Sequence, residues 1–253
     1  MSGWASTFAL RRCAVTENRA QYSEITVVIP CYKEKEGVVV NLYNQLTWAG
    51  FQVIVVDDGS TMDLPDEVNC ISYKPNMGYG YAIKRGIERA NTPIVCTADG
   101  DGQHDHEDVK KLCDIYRMVT DCKMVIGRRW DLKESPLRWW GRKVLNFIAS
   151  TISGHYMVDL NSGIRVFNTK LALGYAPILC DTFSFTTSLT MSMVTDKHKV
   201  EWISVDVKPR VFGKSHVRVV KDGLVTLYYI VWVGLALRTR NLRAWIRKAI
   251  TRT

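Results

Sequence analysis

Ile94-Val95-Cys96-Thr97-Ala98-Asp99-Gly100-Asp101-Gly102-Gln103 is an apolar run that ends in two carboxylates one residue apart. A run of this length reads as a buried strand. In open α/β sheets the carboxyl ends of the strands are where ligands bind. Residues i and i+2 of an extended chain point to the same side, so Asp99 and Asp101 are expected to face one small target together. Two carboxylates and the amide oxygen of Gln103 suit a hard divalent cation, Mg2+ or Mn2+. The plainer reading is an acidic turn that closes the strand and caps the next helix.

On either side of this stretch, strand and helix signals alternate. Residues 25–30 form a β-branched run closed by Pro30, followed by a polar loop and helical spacing over 38–48. Residues 51–60 repeat the pattern and end in Asp57-Asp58-Gly59-Ser60. A short strand is expected at 70–73, helices over 78–90 and 106–119, and a strand at 123–126 ending in Gly127-Arg128-Arg129. Such alternation argues for βαβ units, an α/β fold with a mostly parallel central sheet flanked by helices. In that sheet the strand ends carrying Tyr32 and Glu34, Asp57 and Asp58, and Asp99 and Asp101 lie along one edge. The later chain predicts helices over 135–156 and 183–194, strands over 163–168 and 200–208, and a basic loop at 209–216.

Composition narrows the partners. The net charge is +9, and residues 128–143, 208–221 and 238–253 hold 17 of the 34 Lys and Arg, which points to anionic partners such as phosphates or acidic lipid head groups. Seven cysteines without a C-x-x-C suit neither a disulfide framework nor a zinc site and imply a reducing, cytosolic setting. Residues 1–23 read as an N-terminal extension without signal-peptide character. No run reaches the ~20 apolar residues that span a bilayer; residues 223–237 come nearest, with no charge. A single domain over 24–216 with an appendage over 217–253 is expected. Acids that grip a metal, joined by Arg129, Arg165, Arg210 and Lys214, make a site suited to a diphosphate.

Seven motifs occur in order: Val27-Val28-Ile29-Pro30-Cys31-Tyr32-Lys33-Glu34, Val55-Val56-Asp57-Asp58-Gly59-Ser60, Asn76-Met77-Gly78, Ala98-Asp99-Gly100-Asp101-Gly102-Gln103, Gly127-Arg128-Arg129, Asp159-Leu160-Asn161-Ser162-Gly163-Ile164-Arg165 and Arg210-Val211-Phe212-Gly213-Lys214-Ser215. Together they resemble family 2 glycosyltransferases of the GT-A fold, in particular the polyprenyl-phosphate branch that includes dolichol-phosphate mannosyltransferase and undecaprenyl-phosphate sugar transferases. The resemblance covers residues 25–216. It implies that Pro30, Tyr32, Glu34 and Asp58 hold the nucleoside and that Ala98 lies with them in the nucleotide-sugar site. It places Asp99, Asp101 and Gln103 on the metal and donor diphosphate, with Asp101 also catalytic. Arg129 and Arg165 would line the sugar and phosphate path, and Arg210 and Lys214 would close over the phosphates on a mobile loop. GDP-mannose and UDP-glucose both fit as donor.

Two departures from the family pattern are informative. Tyr79 stands where many relatives carry a lysine, in N-x-G-K-G. Residues 183–193, where relatives acting on sugar acceptors supply an acidic base, have only Ser, Thr and apolar side chains. A sugar hydroxyl needs deprotonating as it attacks. A phosphate monoester, with a second pKa near ~6, arrives ionised. A polyprenyl phosphate acceptor is therefore expected, and with it an anionic membrane surface. Trp140 and Phe147 on one helix face, the aromatics Tyr228, Tyr229 and Trp232, and a stripe of Leu242, Trp245, Ile246, Ala249 and Ile250 opposite Arg240, Arg243 and Arg247 read as C-terminal amphipathic, interfacial helices. Peripheral attachment at the cytoplasmic face is expected, with a re-entrant hairpin or partner-dependent docking of 223–237 left open, as are a membrane-protein partner and a homo-oligomer. Nucleic acid is not an expected partner. An oxidoreductase reading fails because no G-x-G-x-x-G follows the first strand. A hydroxyl-acceptor enzyme and a non-catalytic nucleotide-sugar-binding module remain as alternatives.

Overall fold

The computed structural model describes residues 21–129, 136–206 and 219–250. In chain order the elements are β1 (Ile25–Cys31), α1 (Glu36–Trp48), β2 (Gln52–Asp58), β3 (Cys70–Tyr73), α2 (Tyr79–Arg89), β4 (Ile94–Thr97), α3 (His106–Met118), β5 (Cys122–Arg129), α4 (Pro136–Ser153), β6 (Arg165–Asn168), α5 (Thr169–Tyr175), α6 (Phe185–Thr195), β7 (Lys199–Val205) and α7 (Val219–Ile250). The β-branched runs became strands, and the helical spacings became helices within a few residues of the expected ends.

One seven-stranded sheet, ordered β3-β2-β1-β4-β6-β5-β7, organises the chain. All neighbouring pairs are parallel except those of β6, which runs antiparallel to both β4 and β5. Arg165, the first residue of β6, pairs with Thr97 at the end of β4 and with Ile126 near the end of β5. The segment that enters β6 therefore arrives at the same sheet edge that the parallel strands leave. This reversal brings residues 159–164 to Asp99 and Arg129.

Successive strand residues face opposite sides, and each side has its own core. Val27 and Ile29 pack with α1 and α3 residues such as Leu42, Leu46 and Leu112, whereas Val28 packs with Ile83 of α2, Phe185 of α6 and Ile230 of α7. Helix α6 is buried over Phe185–Val194. It is covered by the sheet on one side and by α7 on the other, so a polar face is not required of it.

The C-terminal segments, expected as an apolar stretch followed by basic helices, form one continuous helix of 32 residues. Thr226, Ile230, Val233 and Leu237 form its buried stripe. Gly234 sits over Ile152, and a Cβ there would lie 2.4 Å from Ile152 Cγ2. Farther along, Arg238 donates to the Ile152 carbonyl and Arg240 to the Asp196 carboxylate. The side chains of the 242–250 stripe lie outside the described residues, as do Arg210 and Lys214.

Candidate active site

The acids at the ends of β2 and β4 look alike in sequence and differ in their surroundings. Asp57 is buried and accepts from Ser60 N–H (3.0 Å), the Ser60 hydroxyl, Met62 N–H (3.1 Å) and the Ser72 hydroxyl (3.3 Å). Burial would raise its carboxyl, but these hydrogen bonds outweigh it and hold it below the ordinary aspartate range. Asp58, expected to hold the nucleoside, is also buried. It accepts from Met77 N–H at 2.7 Å and from Gly78 N–H and Asn76 Nδ2 at 2.8 Å each. Its two oxygens clamp the 76–78 loop. Gly78, with φ +109°, supplies the backbone form the clamp needs.

The β4 stretch opens instead. The strand stops at Thr97, so Asp99 and Asp101 lie on a turn rather than side by side on extended chain. They do not cap the following helix: Asp105 does, accepting from Glu107 N–H (3.0 Å) and Asp108 N–H (3.1 Å). Asp101 is buried and accepts from Gln103 N–H at 3.0 Å. Asp99 lies against Gly163 so closely that a Cβ at 163 would be 2.1 Å from Asp99 Oδ2. Only glycine fits there. The Tyr79 hydroxyl donates to Asp99 Oδ1 at 2.9 Å, so the residue in the lysine's place grips the acid directly. Burial first, and the Asp99 charge second, raise the Tyr79 phenol well above its ordinary pKa, so it stays a donor.

Arg129 is held by Asp159 through a bidentate pair, Nε to Oδ2 and Nη2 to Oδ1, both 3.0 Å. Burial would raise the Asp159 carboxyl, but the Arg129 charge and hydrogen bonds prevail and lower it. Arg165 does not line the path expected of it. It is 0% exposed and donates to the carbonyls of Leu160 (3.3 Å), Ser162 (3.1 Å) and Thr186 (2.7 Å) and to Thr190 Oγ1 (3.0 Å). Burial pulls its pKa to about 10, which still leaves it charged at neutral pH. Its work is to brace the 159–163 loop on α6 from behind.

A cavity of about 590 Å³ joins these groups to the helices. Tyr79, Asp99, Gln103, Arg129, Asn161 and Gly163 line its polar end. Trp140, Val144, Leu145 and Ile148 of α4 and Leu224 and Leu227 of α7 line an apolar seam that continues from it. Arg138 and Arg142 of α4 line the cavity as well. Pro30, Tyr32, Glu34 and Asp58 are not among its lining residues; they belong to the ends of β1 and β2, farther along the same edge. Ala98 is buried with its N–H on the Val28 carbonyl at 3.1 Å, and it presents no side chain to the cavity.

Among the described residues no three His, Cys, Asp or Glu side chains converge as a metal cage. The oxygen donors Asp99 and Gln103 at the cavity wall, with Asp101 between them in sequence, fit a hard cation that shares its coordination with a diphosphate and water. Asp159 and Asn161 stand inside a motif that by itself assigns them no role, and from the sequence alone Tyr79 is only a lost charge.

The model of the family "Glycosyl transferase family 2" matches residues 26–173. A UDP-N-acetylglucosamine–dolichyl-phosphate N-acetylglucosaminyltransferase of Methanococcus voltae is 30% identical, over 57% of this chain and 69% of its own. An undecaprenyl-phosphate 4-deoxy-4-formamido-L-arabinose transferase of Photorhabdus laumondii is 27% identical, over 65% of this chain and 58% of its own. The crystal structure of glucosyl-3-phosphoglycerate synthase from Mycobacterium tuberculosis with Mn2+, UDP-glucose and phosphoglyceric acid superposes with a TM-score of 0.66 at 14% identity, covering 87% of this chain and 82% of that one. At that identity the likeness shows the fold alone.

Proposed function

Since the chain belongs to glycosyl transferase family 2, we propose that it transfers a hexose, mannose or glucose, from a nucleoside diphosphate sugar to a polyprenyl phosphate at the cytoplasmic surface of a membrane. The observation that carries this reading is the continuity of the cavity. Its acid- and arginine-lined end suits a diphosphate and an attacking phosphate, and its apolar seam between α4 and α7 suits the lipid tail attached to that phosphate. Two relatives whose names contain a polyprenyl phosphate support the same acceptor class.

Asp99, Asp101 and Gln103 would hold Mg2+ or Mn2+, which when bound supplies positive charge to the leaving diphosphate. Arg129, fixed in orientation by Asp159, presents a guanidinium to phosphate oxygens in that same end of the cavity. A phosphate oxygen of the acceptor attacks the anomeric carbon as the bond to the diphosphate breaks, with inversion, and the nucleoside diphosphate departs. No protein base is required because the nucleophile is already ionised. The expected roles of Pro30, Tyr32 and Glu34 around the nucleoside, and of Arg210 and Lys214 over the phosphates, belong to this proposal.

Membrane attachment is supported by the outer faces of the same two helices. Leu137, Trp139 and Phe147 of α4 and Tyr228, Trp232 and Leu235 of α7, none of them a lining residue of the cavity, are all exposed. The stretch Val220–Arg240 is long and apolar enough to cross a bilayer. Its Ile230 and Val233 are fully buried against the protein, however, which favours lying in the interface over spanning.

A second reading rests on Asp222, a carboxylate at the start of α7 that lines the same cavity. It is a candidate base for a hydroxyl acceptor. The test incubates radiolabelled UDP- and GDP-sugars with polyprenyl phosphate and Mg2+ or Mn2+, followed by organic extraction. Label in the organic phase, with Asp222→Asn keeping activity within a few-fold, is the expected result. Label confined to the aqueous or protein fraction would sink the lipid-phosphate reading. A loss of about 100-fold or more in Asp222→Asn would favour the base.

A further inference from the structure

Five Ser and Thr residues are buried on α6: Thr186, Thr187, Ser188, Thr190 and Ser192. Four of them bond back into their own segment. The hydroxyls of Thr186, Ser188, Thr190 and Ser192 donate to the carbonyls of Phe183, Phe185, Thr186 and Ser188. This is the usual way a helix satisfies a buried hydroxyl. Thr187 is the exception. Its hydroxyl, fully buried, leaves the helix and donates to Asn161 Oδ1 at 2.7 Å.

This bond decides which way the Asn161 amide faces. A buried hydroxyl proton needs an acceptor, and the Asn161 carbonyl oxygen is the one Thr187 has among the described residues. The Oδ1 atom is therefore turned toward α6. The Nδ2 group, with two N–H donors, makes no hydrogen bond to the protein among the described residues. Asn161 itself lines the cavity beside Asp99, Arg129 and Gly163. The backbone under it is braced: its N–H bonds Asp159 Oδ1 at 3.2 Å, Arg165 grips the carbonyls on either side of it, and Thr97 Oγ1 donates to the Gly163 carbonyl at 2.6 Å.

From this geometry we infer that Asn161 is a substrate-binding residue. Its Nδ2 donates to an oxygen of the reacting groups, and Thr187 acts as the positioning residue that keeps the donor, rather than the acceptor, end of the amide in the cavity. The ligand chemistry is an oxygen acceptor beside Asp99 and Arg129. Either a hydroxyl of the transferred sugar or an oxygen of the acceptor phosphate provides it. The inference rests on the proposed transfer reaction for its substrates.

Asn161→Asp separates the two sources and keeps the fold, because a carboxylate still accepts from Thr187. If the partner is a sugar hydroxyl, the carboxylate accepts its O–H, and Asn161→Asp retains more activity than Asn161→Ala. If the partner is a phosphate oxygen, the added charge repels it, and Asn161→Asp is the worse of the two. In either case Asn161→Ala raises the KM for one substrate, or lowers kcat, by about tenfold or more, with the melting temperature as a control on folding. Thr187→Val shows part of that effect and adds nothing when Asn161 is already Ala. Binding is measured in parallel by titrating UDP-glucose, GDP-mannose and detergent-solubilised polyprenyl phosphate against tryptophan fluorescence. A wild-type protein that moves no sugar to lipid overturns the proposed function alone, since the titrations still compare the variants. Both Asn161 variants binding every probe as the wild type does, with unchanged kinetics wherever the wild type turns over, overturns the Asn161 assignment.

Discussion

The acidic ends of β2 and β4 make the most instructive pair in the molecule. Each follows an apolar strand, and each carries two aspartates and a glycine within a few residues. At β2 both carboxylates are saturated by the protein's own donors, three N–H groups or hydroxyls or more apiece. At β4 Asp99 is steadied by one phenol and faces a cavity. The first pair builds the edge, and the second offers charge to a ligand. Hydrogen bonds spent on holding a loop are not available to a substrate, so similar sequence at two strand ends yields one structural and one chemical site.

Breaking the β4 side is expected to have the largest effect. Asp99→Asn should lower transfer by about 100-fold or more while the thermal midpoint stays close to that of the wild type. A protein that instead melts early would place Asp99 with the structural acids.

The two arginines draw the same contrast one layer deeper. Arg165→Met removes a buried cation that four protein oxygens surround, and a loss of about 3 kcal/mol is expected in denaturant unfolding. Arg129→Lys, at the cavity wall, should cost less stability than Arg165→Met, because the charge beside Asp159 is kept, and should lower turnover, because a lysine cannot reproduce the bidentate pair. If the two variants exchange phenotypes, the division between brace and ligand is wrong.

Asp58→Asn should come next, with a stability loss of about 1–3 kcal/mol from mismatched donors in the 76–78 loop. Donor affinity should fall only in step with that loss. Donor binding abolished at full stability would show that Asp58 reads the nucleoside after all and would collapse the contrast between the two turns.

The smallest effect concerns pH. The Asp159 carboxyl is depressed in the folded protein. Its contribution is therefore present above the ordinary aspartate value of 3.8 and is lost as pH falls through the lower folded value. Asp159→Asn should flatten the acid limb of stability below about pH 4, as read from melts between pH 3 and 6. An unchanged acid limb would detach Arg129 from this control.

Much of the fold was legible in the sequence. Continuous apolar, β-branched runs and helical apolar spacing, closed by Pro30 or by acidic glycine turns, marked most strands and helices. What sequence reasoning missed has a common cause. The antiparallel direction of β6 is not written in Arg165-Val166-Phe167-Asn168, yet it brings Asp159 to Arg129 and Asn161 to the cavity. Arg165 is expected on the phosphate path from its charge and its motif alone, and neither reveals that α6 covers it. Tyr79 read as a missing charge because its hydroxyl acts on a residue from the next strand.

Local propensity and apolar spacing act over a few residues, so the chain by itself determined the alternation of strands and helices and the placing of acids at strand ends. The ordered motifs added the family. Saturation and burial depend on partners distant in sequence. Only the tertiary structure therefore decided that Asp58 clamps a loop, that Arg165 is sealed behind the site, and that α4 and α7 meet as an apolar seam leading to Asp99.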